Sequence, residues 1–285
     1  MARIAYVNGR YVRQDMAAAS IEDRGYQFAD GIYEVCLVIG GRLWDLDGHL
    51  ARMKRSLAEL RIEQPMGRAA LEVVIGELLR RNRLADALVY IQTTRGVAPR
   101  NHAFPTDVTA PVMVATARPF DLDASDAQAE RGVGVVTQED IRWGRVDIKT
   151  ISLLPNVLAK QAAAEAGCAE AWLVRDGRVT EGSSSNAWIV AADGALVTHP
   201  KGREILGGIT RETALACAHD LQIKVREEAF TLEEAKAARE AFITSATSLV
   251  MPVAAIDGPP VGDGGPGPVA LRLREAYKNR ARAAS

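Results

Sequence analysis

The chain has 285 residues, 35 Lys+Arg against 36 Asp+Glu, a formal net charge of −1, and 48% hydrophobic and 25% charged residues. That size can bury the core of one large domain or two ordinary ones, and the composition excludes wholesale disorder. Charge balance argues against nucleic acid as a partner, because such binding rests on a basic excess.

No apolar run reaches membrane-spanning length, and the N-terminal MARIAYVNGR lacks a signal-peptide core. The scattered Cys36, Cys168 and Cys217 read as free thiols of a reducing compartment, so a cytoplasmic protein is expected. Only seven of the basic residues are lysines, so each can be weighed individually.

Ile4 to Asn8 reads as a short strand ending in the Asn8-Gly9 turn, with Tyr11 and Val12 beginning the return. Residues 32–39 (IYEVCLVI) form an apolar strand, Gly40-Gly41 a turn, and 42–46 a second strand. Asp47 is placed to cap a helix running to about Leu60, in which Leu50, Met53, Leu57 and Leu60 recur at helical spacing. A second helix fits 67–81, followed by strands over 87–94 and 112–117.

Residues 118–131 (RPFDLDASDAQAER) are polar, acidic and small, and read as a connection between domains. The expected division is therefore a domain over 1–118, a linker over 119–131 and a domain over 132–285. Beyond the linker, strands are expected near 133–137, 146–150, 170–174, 186–191 and 241–244. Helices are expected over 155–166, 210–219, 231–238 and 269–283. The pattern is α+β: a smaller N-terminal α/β unit, then a larger strand-rich unit with helices outside.

Lys149 sits in VDIKTI, where strand alternation groups it with Asp147 and Ile151. Apolar surroundings disfavour an ammonium, which is how amines become nucleophiles; a lysine snorkelling from an edge strand explains the same pattern. Glu181 opens EGSSSN, where the small hydroxyl residues could hold its carboxylate and a protonated ring nitrogen could pair with it. A polar β-loop is the plainer reading of that segment.

Gly207-Gly208 runs into a helix, so the N–H groups of Ile209 and Thr210 and the Thr210 hydroxyl make an anion site. Thr247 belongs to a second hydroxyl-rich strand end, TSATS. Arg52 shares a helix face with His49 and Ser56. Arg100 and His102 lie between two prolines in RGVAPRNHAFP, a stiffened loop that could aim both at a carboxylate. His199 and His219 are isolated, and no metal site is expected.

Together these segments resemble the class IV, fold-type IV pyridoxal-phosphate aminotransferases. The family pattern is met by Glu181, Ser183, Asn186, Ala187, Trp188, Leu196, Thr198, Leu206, Gly208, Ile209 and Arg211, with Trp188 standing where the family mostly has Phe or Tyr. Within the family, EDRGYQFADGIYE, TRGVAPRNHAFP, EDIRWGRVDIKTISLLPNVLAKQ and TEGSSSN resemble the D-amino acid branch.

The resemblance implies a two-domain fold whose C-terminal domain is pseudobarrel-like, with pyridoxal 5'-phosphate as cofactor. It implies that Lys149 bonds covalently to the cofactor and moves the substrate proton, and that Glu181 pairs with the ring nitrogen. Arg52, Ile209, Thr210 and Thr247 would hold the phosphate, and Leu206 would press on the ring. Tyr33, Arg100 and His102 would trap the substrate carboxylate, the last two reaching in from the neighbouring subunit of a homodimer. The implied reaction is reversible amino transfer from D-alanine and similar D-amino acids to 2-oxoglutarate. Branched-chain L-amino acid aminotransferases, aminodeoxychorismate lyases and R-selective amine transaminases share the fold. A non-catalytic metabolite-binding protein is the reading from another class.

Overall fold

The computed structural model describes residues 3–107 and 109–283, which fall into two compact units. The first takes the chain through Asp121 and then regains Ile148–Ser152; the second takes Leu122–Asp147 and the chain from Leu153 onward.

The first unit contains β1 (Ile4–Val7), β2 (Arg10–Arg13), α1 (Arg24–Phe28), β3 (Gly31–Ile39), β4 (Arg42–Leu43), α2 (Leu46–Glu59), α3 (Arg68–Asn82), β5 (Ala87–Thr94) and β6 (Val112–Pro119). Its six strands form an antiparallel sheet in the order β2-β1-β6-β5-β3-β4. Val38, Val89, Ile91 and Ala115 from the sheet pack with Met53 and Leu57 of α2 and Leu71, Ile75 and Leu78 of α3. The buried positions of α2 are His49, Met53, Ser56 and Leu57, so its inner face carries polar groups as well as the expected apolar ones.

Asp47 does not cap α2. The cap position is Asp45 at φ +53°, with no side-chain cap bond, and Asp47 pairs instead with Arg68. The strand expected over 42–46 is confined to Arg42–Leu43, because the turn into α2 begins at once.

The second unit contains α4 (Leu122–Ala129), β7 (Val133–Glu139), α5 (Leu154–Glu165), β8 (Glu170–Arg175), β9 (Arg178–Gly182), β10 (Asn186–Val190) and β11 (Leu196–Thr198). It continues with α6 (Ile209–Asp220), β12 (Val225–Glu227), α7 (Leu232–Lys236), β13 (Glu240–Ser245), β14 (Leu249–Ile256) and α8 (Pro268–Ala283). Its eight strands run β12-β11-β10-β13-β14-β7-β8-β9, parallel at β11–β12, β14–β7 and β7–β8. The edge strand β9 turns directly into β10, with Gly182 N–H bonded to the Ser185 carbonyl at 2.6 Å, so the sheet curls back on itself. Val135, Trp172, Ile189, Phe230, Ile243 and Met251 form its core.

The segment read as a linker carries α4. Its Ala129 is buried in the second core, and Asp126 is gripped by Arg274 at 2.9 Å and Lys278 at 3.0 Å. Its acidic residues thus serve α8 rather than solvent, and Ala and Leu supply the helix propensity.

The strand expected over 146–150 is absent. Residues 146–148 turn, and Thr150 makes a single bridge to Ile32. The chain is fastened there by Tyr33 N–H to the Lys149 carbonyl at 3.0 Å and Ile151 N–H to the Gly31 carbonyl at 3.1 Å. Gly31 permits this approach: a Cβ there would lie 2.6 Å from the Thr93 carbonyl oxygen and 3.2 Å from Ile151 Cδ1. Ile148 drops into the first core, which anchors the segment carrying Lys149.

Candidate active site

Lys149 is half-buried, as are Asp147 and Ile151, but lies outside any strand. Its Nζ lies 4.1 Å from the centroid of the Tyr33 ring, which stacks on Tyr90 at 5.6 Å. The backbone bond between the same two residues fixes their relative placement, and Lys149 N–H also donates to Ser56 Oγ at 3.4 Å. Burial pushes the Tyr90 phenol up to about 12, helped by Tyr33.

Arg52 is committed to Glu34, donating from Nε to Oε1 at 2.8 Å and from Nη2 to Oε2 at 2.7 Å. His49 Nδ1 lies 2.8 Å from Glu34 Oε2. The shared face of Arg52, His49 and Ser56 is therefore real, but its organiser is Glu34 on β3. Sequence reasoning missed it, although a charged residue inside an apolar strand was the available signal. Burial opposes the Glu34 charge, yet Arg52 and His49 hold its carboxyl down at about 2. Burial likewise opposes the His49 imidazolium, and the adjoining Cys36 sulfur and Glu34 carboxylate more than reverse this, lifting it to about 9.

Arg100 and His102 are exposed and flank one ring: the Arg100 guanidinium lies 4.7 Å, and the His102 ring 5.2 Å, from the Phe28 centroid.

In the second unit Glu181 is buried. Its Oε2 accepts from Asn186 Nδ2 at 2.8 Å and from Leu206 N–H at 3.0 Å, and its Oε1 accepts from Arg142 Nη1. Asn186 also donates to the Leu206 carbonyl at 2.8 Å. Glu181, Asn186 and Leu206 thus form one bonded cluster. The expectation that neighbouring serines hold Glu181 is corrected: the Ser183, Ser184 and Ser185 hydroxyls all bond to Glu170 on β8. A serine run after a strand faces whichever strand the turn folds against, which local sequence does not reveal. Arg142, the cation that a buried carboxylate requires, was also missed, because it lies 39 residues away in an irregular segment.

Gly208 stands at the cap of α6 with no side-chain cap bond, so the first-turn N–H groups of Ile209 and Thr210 have no intrahelical partner. Thr210 is buried. Thr247 lies in the turn between β13 and β14, its hydroxyl 3.0 Å from Ser245 Oγ. Among the described residues, no cluster of three or more His, Cys, Asp or Glu could hold a metal ion, and no helix is long and apolar enough to cross a membrane.

The second unit therefore presents a buried carboxylate suited to a ring cation and a helix N-terminus suited to an anion. The first presents a primary amine against an aromatic face. Taken unit by unit, these groups are of the kinds that bind an aldehyde, a pyridine nitrogen and a phosphate. A family model for amino-transferase class IV matches residues 31–256, and the chain belongs to that family. It is a pyridoxal-phosphate-dependent transaminase.

Its relatives narrow the class. The chain is 43% identical over 272 residues to a D-alanine aminotransferase of Staphylococcus haemolyticus, covering 95% of each, and equally so to one of Bacillus licheniformis. A solved structure of a branched-chain amino acid aminotransferase from T.th., with pyridoxamine 5'-phosphate, superposes with a TM-score of 0.88 at 29% identity, covering 100% of this chain and 96% of that one.

Proposed function

We propose that the protein is a D-amino acid aminotransferase, transferring the amino group of D-alanine and other D-amino acids to 2-oxoglutarate, with pyruvate or another 2-oxo acid and D-glutamate as products. The observation that carries this reading is near-full-length identity of 43% to D-alanine aminotransferases, joined to the Arg100–His102 pair on one aromatic ring.

Bound pyridoxal phosphate supplies an aldehyde and an electron-withdrawing ring that accepts the electron pair left at Cα. Lys149 would hold it covalently and would carry the substrate proton at its Nζ. Glu181, fixed by Arg142, Asn186 and the Leu206 N–H, would pair with the ring nitrogen and keep it protonated. Arg52 (through donors other than those paired with Glu34), the Ile209 and Thr210 N–H groups and the Thr247 hydroxyl would bind the phosphate. Leu206 would pack on the ring. Tyr33, Arg100 and His102 bind the substrate carboxylate and so decide which face of Cα offers its hydrogen.

In this reading the enzyme is a cytoplasmic homodimer with Arg100 and His102 serving the neighbouring site. Support for a covered surface comes from α5, where Leu154, Val157 and Leu158 are all more than half exposed on one helix face. The domain division drawn at 118 and 132 is moved to Asp121, with residues 122–131 assigned to the second unit and Ile148–Ser152 to the first.

The solved branched-chain neighbours favour a second reading, transfer from branched-chain L-amino acids. Stereospecific half-reactions over matched D- and L-amino acids separate the two. Reaction with D-alanine and D-glutamate well above their L forms is expected; equal or faster reaction of L-leucine or L-alanine overturns the proposal.

A further inference from the structure

Arg24 opens α1 and is 2% exposed, yet it serves a surface loop. Its Nη1 donates to the carbonyls of Asn101 at 2.5 Å and Ala103 at 3.3 Å, and its Nη2 to the carbonyl of His102 at 3.3 Å. Three consecutive peptide carbonyls thus converge on one guanidinium. Its Nε donates to Asp30 Oδ2 at 2.8 Å. Asp30 is gripped in turn by Arg95, from Nε at 2.7 Å and Nη2 at 2.9 Å. Arg95 is itself tied to the carbonyls of Leu60 and Arg61 and stacks on Phe104 at 3.7 Å. Burial opposes the charge on Asp30, and the two arginines outweigh it and hold its carboxyl below the usual range.

The other end of α1 supplies Phe28, the ring against which Arg100 and His102 rest. One five-residue helix therefore fixes the loop twice, by its backbone through Arg24 and by the Arg100 and His102 side chains through Phe28. A loop with only a covering role needs no buried cation, since its carbonyls can be satisfied by water. A planar guanidinium with a fixed fork of donors is suited to hold several acceptors in a set geometry.

We propose that Arg24 is a positioning residue for substrate recognition: by clamping the carbonyls of residues 101–103 onto the Asp30–Arg95 pair, it sets the spacing and direction of Arg100 and His102 toward the substrate α-carboxylate. This rests on the reading of Arg100 and His102 as the carboxylate handles. Arg24 touches neither cofactor nor substrate, so its loss acts on carboxylate binding and leaves the cofactor's attachment intact.

The test uses the holoenzyme and the variants R24Q, R24K and R100A. It measures KM and kcat for D-alanine, the inhibition constant of propionate (a carboxylate without an amine) and the cofactor's visible absorption. R24Q is expected to raise KM and the propionate constant together by about tenfold, equivalent to about 1.4 kcal/mol. Its kcat and visible band stay near those of the unmodified enzyme, and R24K falls between. If R100A raises KM and R24Q does not, the positioning role is wrong while the carboxylate reading stands. If R100A leaves KM unchanged, the carboxylate reading fails and takes the proposal with it. A loss of kcat and of the visible band in R24Q with unaltered KM also overturns it.

Should R24Q not fold, N101A addresses the loop from its exposed side. It removes the Asn101 Oδ1 that accepts from Ala103 N–H at 3.1 Å. A rise of about threefold in KM with kcat retained supports the clamp, at the scale of one weak hydrogen bond, and an unchanged KM counts against it.

Discussion

Arg142 donates from Nη1 to Glu181 Oε1 while its Nε and Nη2 grip Asp140 at 2.8 Å each. One buried guanidinium thus holds two buried carboxylates, with the Thr180 hydroxyl and the Glu204 carbonyl as further acceptors at 3.2 Å. Burial opposes its charge, but Asp140 and Glu181 keep it firmly protonated. Removing it takes a cation from both acids, although Asp140 keeps Arg175 at 3.2 Å, and breaking one side of a buried pair costs about 3–5 kcal/mol. Arg142→Met should therefore lower the denaturant midpoint sharply and depress kcat, with Arg142→Lys retaining more of both. An Arg142→Met enzyme with unchanged midpoint and kcat would show that Glu181 needs no fixed cation.

The Lys149 backbone is fastened independently of its own side chain: its carbonyl accepts from Tyr33 N–H, its N–H donates to Ser56 Oγ, and Ile148 beside it is buried in the first core. Lys149→Ala should fold with an unchanged midpoint, because the anchoring groups survive. It should lose the visible band that borohydride abolishes in the unmodified enzyme, and kcat should drop by about a thousandfold or more. Retention of a borohydride-reducible cofactor bond in the variant would falsify the assignment.

How much of this could be read from the chain differs by kind of signal. The strand Ala87–Thr94 was legible to its ends, because a continuous apolar run bounded by turn signals suits a strand covered on both sides. Glu181 and the Gly208–Thr210 helix start were legible because their motif is local. Glu34, Arg142 and Arg24 were not, since each acts on a partner between 18 and 79 residues away. No periodicity records such a pairing. The apolar neighbours of Lys149 left a snorkelling lysine equally open, and only the class IV pattern singled it out; the strand expected there is a turn, held by the Ile32–Thr150 bridge and the close approach that Gly31 permits.

The Glu34–His49–Arg52 cluster carries a pH signature. The Glu34 carboxyl is depressed to about 2, so its contribution is present above its unfolded value near 4.5 and fades as pH falls toward 2. The His49 imidazole is raised to about 9, so its contribution is complete below its unfolded value near 6.5 and is lost as pH rises through 9. The pair is coupled, so the two contributions do not add; the alkaline loss is on the order of 3 kcal/mol. Denaturant midpoints should fall between pH 7 and pH 10, and His49→Asn should flatten that slope while lowering the plateau. A slope that persists in the variant would place the titrating group elsewhere.

Ser185 tests the corrected role of the serine run. Its buried hydroxyl donates to Glu170 Oε2 at 3.0 Å, and Glu170 is itself 1% exposed. Ser185→Ala leaves that carboxylate one donor short, at a cost of about 1–3 kcal/mol. Since the bonds to Glu181 are untouched, kcat should hold while the midpoint falls. A fall in kcat without loss of stability would return the serines to Glu181's support.

Gly208 poses the sharpest steric question in the second unit. Its φ of −67° is open to any residue, so backbone strain is no barrier to substitution. Space is: a Cβ there would lie 2.0 Å from Asn186 Oδ1. Asn186 cannot yield cheaply, because its Nδ2 is bonded both to Glu181 and to the Leu206 carbonyl. Gly208→Ala must either displace Asn186, loosening Glu181, or push the start of α6 outward, moving the Ile209 and Thr210 N–H groups. Overpacking of this kind costs about 2 kcal/mol. Either route should weaken cofactor retention, read as a raised dissociation constant for pyridoxal phosphate. Gly208→Ala combined with Asn186→Ala should recover the lost packing but not kcat, because Glu181 then lacks its amide donor. Full retention of cofactor affinity in the single variant would show that the helix start shifts freely and plays no part in holding the phosphate.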